Sequence, residues 1–333
     1  MERLFNGARE FLIKKRLDWL ELASVLYLAV PMVIFSFGWL RLRYAIPAVV
    51  FLLVATVLYF RRPGGSEDGS LGLSDKLSRF DIFKFVKLEI VAAVAIVWVL
   101  ISGIGGFGFQ TLDYDKHNAL FNDLLNMPWP VTYTIDHVAK PLVYYVGYYL
   151  PSTFMARHFG LGLNEMLVFL WSLIGVGLAL AWLYRFIGPN NKKIWPVVAF
   201  VVFSGLDIIG WLVYYHHLPS LYGPNLEWYN KLWIWQYSSN TTLLNWVPQH
   251  AIAGWVAVSL LINSIVSKLK TSSSFFVVAL GLLMSPLMSI GLLPFALTAA
   301  LKDLKHLGWR SLFRIRAKIN WTFGDFLSII NLV

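Results

Sequence analysis

The sequence predicts an all-α fold, a polytopic helical membrane protein with about 7–9 transmembrane helices. Three observations lead there. Hydrophobic residues make up 58% of the 333 residues and charged ones only 14%, with a mean hydropathy of +0.62. A soluble domain cannot hide that much apolar surface. The apolar residues gather into runs near the roughly 20 residues needed to cross the hydrocarbon. The basic residues gather between particular runs, and the formal charge of +10 reads as the lysine and arginine bias of cytoplasmic loops. Nucleic-acid binding would need a basic soluble face, and none is seen. With no cysteine, disulfides, thiolate metal sites and thiol nucleophiles are excluded.

The elements follow in order. Residues 1–19 place Leu4, Phe5, Ala8, Phe11, Leu12 and Trp19 at helical spacing, with Arg9, Lys14, Lys15 and Arg16 between them. This predicts an amphipathic helix on the cytoplasmic membrane surface, too charged for a secretory signal. Spans are predicted at 20–39, 44–60 and 88–104. Between the last two, the Gly/Ser-rich stretch 61–87 holds Arg61, Arg62, Lys76, Arg79, Lys84 and Lys87, which predicts a cytoplasmic loop. The expected setting is the plasma (inner) membrane, with many passes and a cytoplasmic N-terminus.

The third span delivers residues 105–160 to the outer side as a polar loop with interfacial helices. Its first part, 105–141, carries Asp113, Asp115, Asp123 and Asp136 against only Lys116 and Lys140. Residues 142–158 are apolar and aromatic but short, with Pro151 inside, and read as lying along the outer interface. That placement keeps Lys192 and Lys193, which follow a span at 163–187, in the cytoplasm. The span 194–215 then runs outward, with Asp207 inside its helix towards the outer end. A second outer loop, 216–245, is crowded with Trp and Tyr, and 246–266 returns. Residues 274–301 are predicted as a helical hairpin turning near Ser285-Pro286, because a single crossing would expose the basic residues Lys302 to Lys318. Arg41 and Arg43 fall outside in this scheme, against the bias. Phe323 opens a further apolar run. No internal repeat or soluble domain is visible, so 1–333 reads as a single transmembrane domain.

The residues able to do chemistry converge on the outer face. In Asp113-Tyr-Asp115-Lys-His-Asn, a partly desolvated carboxylate can serve as a general base, or hold a divalent cation with a second oxygen ligand. The plainer reading makes Asp115 the N-cap of a helix whose apolar stripe is Ala119, Leu120, Leu124 and Leu125. Asp207 lies in an otherwise apolar run, where an ionisable group is a functional hypothesis. Pro248, Gln249 and His250 open a helix at the same face, and free N–H groups there suit an anion such as phosphate. His117, Lys140, Tyr144 and Arg157 are further candidates for holding substrate or phosphate. The Gly103-Ile-Gly-Gly-Phe-Gly108 stretch does not lead from a strand into a helix and so is not a nucleotide loop.

The order of these features resembles the GT-C superfamily of membrane glycosyltransferases, which includes protein O-mannosyltransferases and aminoarabinose transferases. The resemblance rests on Asp113-Tyr-Asp115, the helix 118–125, Trp129-Pro-Val, Lys140-Pro-Leu-Val-Tyr-Tyr145, Phe159-Gly160, Asn164-Glu165 and a later Asp207, over about residues 105–211. Leu142 stands where the family has a second proline, and two additional spans precede the acidic loop. The resemblance implies inverting transfer of a sugar from a polyprenyl-phosphate donor to a lipid, glycan or protein acceptor on the outer face. Asp113 or Asp115 would be the base, with the spacing to Trp129 favouring Asp113. Asp207 would orient the acceptor or a metal, and Lys140, Arg157 or His250 would serve the phosphate.

Two other classes remain open from sequence. A transporter or flippase for a lipid-linked or anionic solute would use Asp207 most. A membrane assembly factor would use the aspartates only as caps.

Overall fold

The computed structural model describes residues 18–60, 88–159, 163–187, 194–204, 207–217, 238–266 and 271–307. The amphipathic stretch up to residue 17, the basic loop 61–87, most of the second aromatic loop and the run from Phe323 lie outside the described residues. The fold is mostly helical. Helix α1 (Trp19–Trp39) starts on Asp18, whose carboxylate accepts from the backbone N–H groups of Leu20 and Glu21 at 3.1 and 3.3 Å. Helix α2 (Leu42–Phe60) runs back against it and leaves Phe51, Leu53, Val54 and Leu58 exposed. A contiguous apolar face of that kind is matched by hydrocarbon and not by water.

Helix α3 (Leu88–Ile101) ends before Gly103. Then come α4 (Asp113–Asn126), strands β1 (Thr132–Ile135) and β2 (Val138–Pro141), α5 (Leu150–Phe159) and α6 (Asn164–Ile187). Helices α7 (Trp195–Val201), α8 (Asp207–Tyr215), α9 (Asn240–Trp246), α10 (Pro248–Val266), α11 (Thr271–Gly281) and α12 (Pro286–Leu307) complete the described chain. Helix α6 is the centre of the bundle and packs on α1, α3, α5 and α10. Its Val176, Leu180 and Trp182 are fully buried.

Among the described residues three helices, α1, α2 and α6, are long and apolar enough to cross a membrane. This is fewer than the seven to nine passes expected, and the reasons are local. Helix α3 has 14 residues, about 21 Å of rise against a hydrocarbon core of about 30 Å. The run 194–215 is broken, with Ser204 at φ +67° between α7 and α8. Side chains of α9 take the carbonyls freed at the end of α7: Asn240 Nδ2 donates to Phe200 O and Thr241 Oγ1 to Val201 O, both at 2.7 Å. Helix α10 has 19 residues, but Gln249, His250, Ser259, Asn263 and Ser264 dilute its apolar character. The hairpin expected near Ser285-Pro286 is present as α11 and α12, with Ser285 accepting from the Met288 N–H at the start of α12.

The all-α expectation is also corrected, because β1 and β2 form a small antiparallel hairpin. Asp136 and His137, at φ +53° and +60°, make its two-residue turn, the left-handed conformation that tight hairpins require. A buried carboxylate that sequence reading passed over joins three helices at the other end of the bundle. Glu21 of α1 accepts from Tyr59 Oη of α2 at 2.8 Å and from Asn263 Nδ2 of α10 at 3.2 Å. Satisfying it in this way offsets the cost of withdrawing a carboxylate from water.

Candidate functional site

The site is built on α4. The helix forms because Tyr114, His117, Leu120 and Leu124 fall on one buried face while polar residues cover the rest. It begins at Asp113, with Leu112 as the cap residue and no side-chain cap bond. Asp115 is therefore inside the first turn and not the cap, which corrects the plainer reading. Both carboxylates face the positive end of the helix dipole, worth about 0.3–1 kcal/mol each for exposed groups. Asp113 is partly exposed and lies 3.5 Å from Lys116 Nζ, while Asp115 is exposed.

The far end of α4 is closed by Arg157. Its Nη1 donates to Leu124 O at 3.1 Å and Met127 O at 2.8 Å, and its guanidinium lies 4.9 Å from the centre of the Trp129 ring. Eleven to fourteen residues of helix separate those carbonyls from Asp113, a rise of about 17–21 Å. One phosphate cannot touch both, so Arg157 does not belong to the same constellation as Asp113. Lys140 is exposed on β2, opposite Tyr133 in register. The hairpin is pinned to α4 by Tyr133, whose hydroxyl donates to Asp123 Oδ2 at 2.6 Å. That bond to a carboxylate pushes the Tyr133 pKa up to about 12.

What does converge is a group around His117, which is 3% exposed. Its Nε2 lies 2.9 Å from Trp246 O, at the junction of α9 and α10, and its Nδ1 meets the Tyr149 hydroxyl. A carbonyl can only accept, so Nε2 carries the proton and Nδ1 accepts from Tyr149. Tyr145, beside Tyr144, sets its ring edge-on to His250 at 4.9 Å. His250 Nδ1 is 2.7 Å from Ser285 Oγ, and Lys116 Nζ sits 5.8 Å over the Tyr144 ring. Asp113, His117, Tyr144 and His250 are thus brought to one region. Gln249 beside them is fully buried, and neither amide atom finds a partner among the described residues. Asp207 opens α8 instead of lying inside a longer helix; its side chain is outside the described residues. Among the described residues no group of three or more His, Cys, Asp or Glu is placed to hold a metal ion.

Beside His117 lies a hollow of about 380 Å³, walled by α4, the start of α6 and the glycine turn after α3. The turn was passed over as a nucleotide loop, yet it shapes this wall. Gly103 and Gly105 sit at φ +80° and +75°, and a Cβ on Gly103 would stand 2.3 Å from Phe109 O. Gly103→Ala is expected to destabilise the protein by more than about 1 kcal/mol, read as a lowered denaturation midpoint in detergent. Tyr149 and Gln110 were also missed; the only sequence signal for either is polarity next to an apolar run.

Burial pulls the His117 pKa below its usual value, outweighing the bond to the Trp246 carbonyl that acts the other way. An unfolded histidine titrates near 6.5, so below that pH the unfolded chain binds a proton that the folded one refuses. Stability from this group is full above about pH 6.5 and is lost as pH falls towards the depressed folded value. The melting temperature is expected to drop on acidification, and His117→Gln to flatten that dependence.

A second hollow, of about 730 Å³, lies between α1, α5 and α6, lined by apolar side chains such as Phe37, Met155, Leu170 and Ile174, with Trp129 at its edge. Ser152 Oγ, donating to Leu167 O at 3.2 Å, ties α5 to α6 between the two hollows. No protein-family model, curated protein or solved structure matches this chain.

Proposed function

We propose that the chain is a GT-C-like membrane glycosyltransferase that moves a sugar, with inversion, from a polyprenyl-phosphate donor to a lipid, glycan or protein acceptor. It works on the outer face of the plasma (inner) membrane as a multi-pass protein with a cytoplasmic N-terminus. The observation that carries the reading is the acidic first turn of α4, set beside His117, Tyr144 and His250 in a chain whose α1, α2 and α6 are apolar enough to span. The polar hollow beside His117 suits the sugar, and the apolar hollow between α1, α5 and α6 suits a lipid chain.

In the reaction the acceptor hydroxyl oxygen bonds to the anomeric carbon while the carbon–oxygen bond to phosphate breaks. The electron pair leaves on polyprenyl phosphate, and the hydroxyl proton passes to an aspartate carboxylate. Lys116 would meet the leaving charge as a cation and His250 as a neutral hydrogen-bond donor, since burial lowers its pKa to about 4. The test is reconstitution of the full chain in proteoliposomes with a polyprenyl-phosphate hexose, following free polyprenyl phosphate by mass spectrometry. Release that disappears in Asp113→Asn supports the reading. A donor that crosses the bilayer uncleaved would establish the flippase instead, and no cleavage with any donor ends the proposal.

A further inference from the structure

We infer that the 380 Å³ hollow beside His117 is a subsite for an uncharged sugar ring, and that it selects against phosphate and anionic sugars. The inference deepens the transferase reading and rests on it for the source of the sugar. Its basis is the chemistry of the wall. Gln110, Asn118, Asn122, Asn126 and Asn164 supply five carboxamides, Glu165 supplies the one carboxylate, and none of the lining residues is lysine or arginine. His117 is the nearest thing to a cation there, and its burial between Tyr149 and the Trp246 carbonyl disfavours the charged ring. A phosphate needs donors and positive charge, and this wall gives donors and acceptors in similar number with no positive charge.

The amides are held in place by one another. Gln110 Nε2 donates to Gly103 O and Asn118 Nδ2 to Gln110 Oε1, both at 2.9 Å. Asn126 Nδ2 donates to Asn122 Oδ1 at 2.8 Å and Asn122 O at 3.0 Å. A carboxamide has two N–H donors and an oxygen with two lone pairs. After these bonds, the Oδ1 oxygens of Asn118 and Asn126 and the amide N–H groups of Asn122 remain for a ligand. Sugar hydroxyls both donate and accept, so they match such a mixed set. Phe121 and Tyr149 add ring surface for the apolar face of a pyranose. The volume is at the small end of the roughly 300–1,000 Å³ usual for ligand sites, with room for a sugar ring.

Binding can be read without transfer. The full chain in nanodiscs is examined by saturation-transfer NMR with methyl α-mannopyranoside and methyl β-glucopyranoside. Competitors are inorganic phosphate, methyl glucuronide and glucosamine. The neutral glycosides are expected to bind and displace each other, with phosphate and glucuronide failing to displace them at equal concentration. Asn122→Leu, and independently Asn118→Leu, should weaken binding about tenfold, the equivalent of one or two lost hydrogen bonds. Asn122→Gln should restore most of it. Displacement by phosphate or glucuronide, tenfold tighter binding of glucosamine, or unchanged binding in both leucine variants would each overturn the inference. Because glycoside binding and donor cleavage are measured separately, the two failures separate. Binding without donor cleavage would end the transferase reading alone, and cleavage insensitive to both leucine variants would end this one alone.

Discussion

Asp113→Asn is expected to lower donor cleavage by roughly 10²–10⁴-fold, the usual contribution of a positioned general base. The substitution keeps size and hydrogen-bonding capacity but removes the ability to take a proton. Of the two first-turn carboxylates, Asp113 is the one whose charge is felt by His117 and Tyr149, both of which line the polar hollow. Its ion pair with Lys116 is 3.5 Å long and partly solvated. Such surface pairs are worth about 0.2–1 kcal/mol, too little to hold the carboxylate away from an incoming hydroxyl. Asp115 is exposed, and Asp115→Asn should cause a smaller loss than Asp113→Asn. The cost to folding should stay small, about 1 kcal/mol from the lost dipole interaction, since neither carboxylate caps α4 through its side chain. The readout is initial rate at saturating donor, alongside a denaturation midpoint that falls only slightly. Full activity in Asp113→Asn would remove the base from the proposal.

How much could be read from sequence differs element by element. The spans at 20–39 and 163–187 were legible because long apolar runs end at local breakers and caps, and α1 and α6 occupy them. The turn at Ser285-Pro286 was legible from charge, because a single crossing would have put the basic residues after it on the wrong side. The break in the run 194–215 was not, because the groups that take the α7 carbonyls come from Asn240 and Thr241, 40 residues on. The start of α4 was misplaced by one turn. Asp115 has the residue type of a cap, but Tyr114 is buried with its hydroxyl on Ser102 O at 2.9 Å, which draws the helix back to Asp113. Arg157 looked like a phosphate ligand by charge alone. Its role at the end of α4 depends on a carbonyl position that no sequence pattern encodes. The acidic loop, His117 and His250 were legible as chemistry-bearing residues. That His117 joins α4 to the α9–α10 junction and to Tyr149 required the packing of segments 129 and 32 residues away.

That junction makes His117→Leu the substitution with the largest expected effect on stability. Leucine fills much of the ring's volume, so little cavity is created, and the loss is polar. The Trp246 carbonyl loses its donor and the buried Tyr149 hydroxyl loses its acceptor. Leaving the buried Tyr149 hydroxyl without its acceptor costs about 1–3 kcal/mol, and losing the bond to the half-buried Trp246 carbonyl adds about 0.5–1.5 kcal/mol. Tyr149→Phe removes the hydroxyl itself and should cost less, because nothing charged or donating is then stranded on that side. The double variant should therefore be less destabilised than the sum of the singles, with a coupling of about 0.5–3 kcal/mol for residues that share a bond. Denaturant titration in detergent of the four proteins measures it. Additive losses would mean that His117 and Tyr149 do not share a bond, and a His117→Leu loss within about 0.5 kcal/mol of wild type would mean that the histidine does not hold α4 to the helix junction.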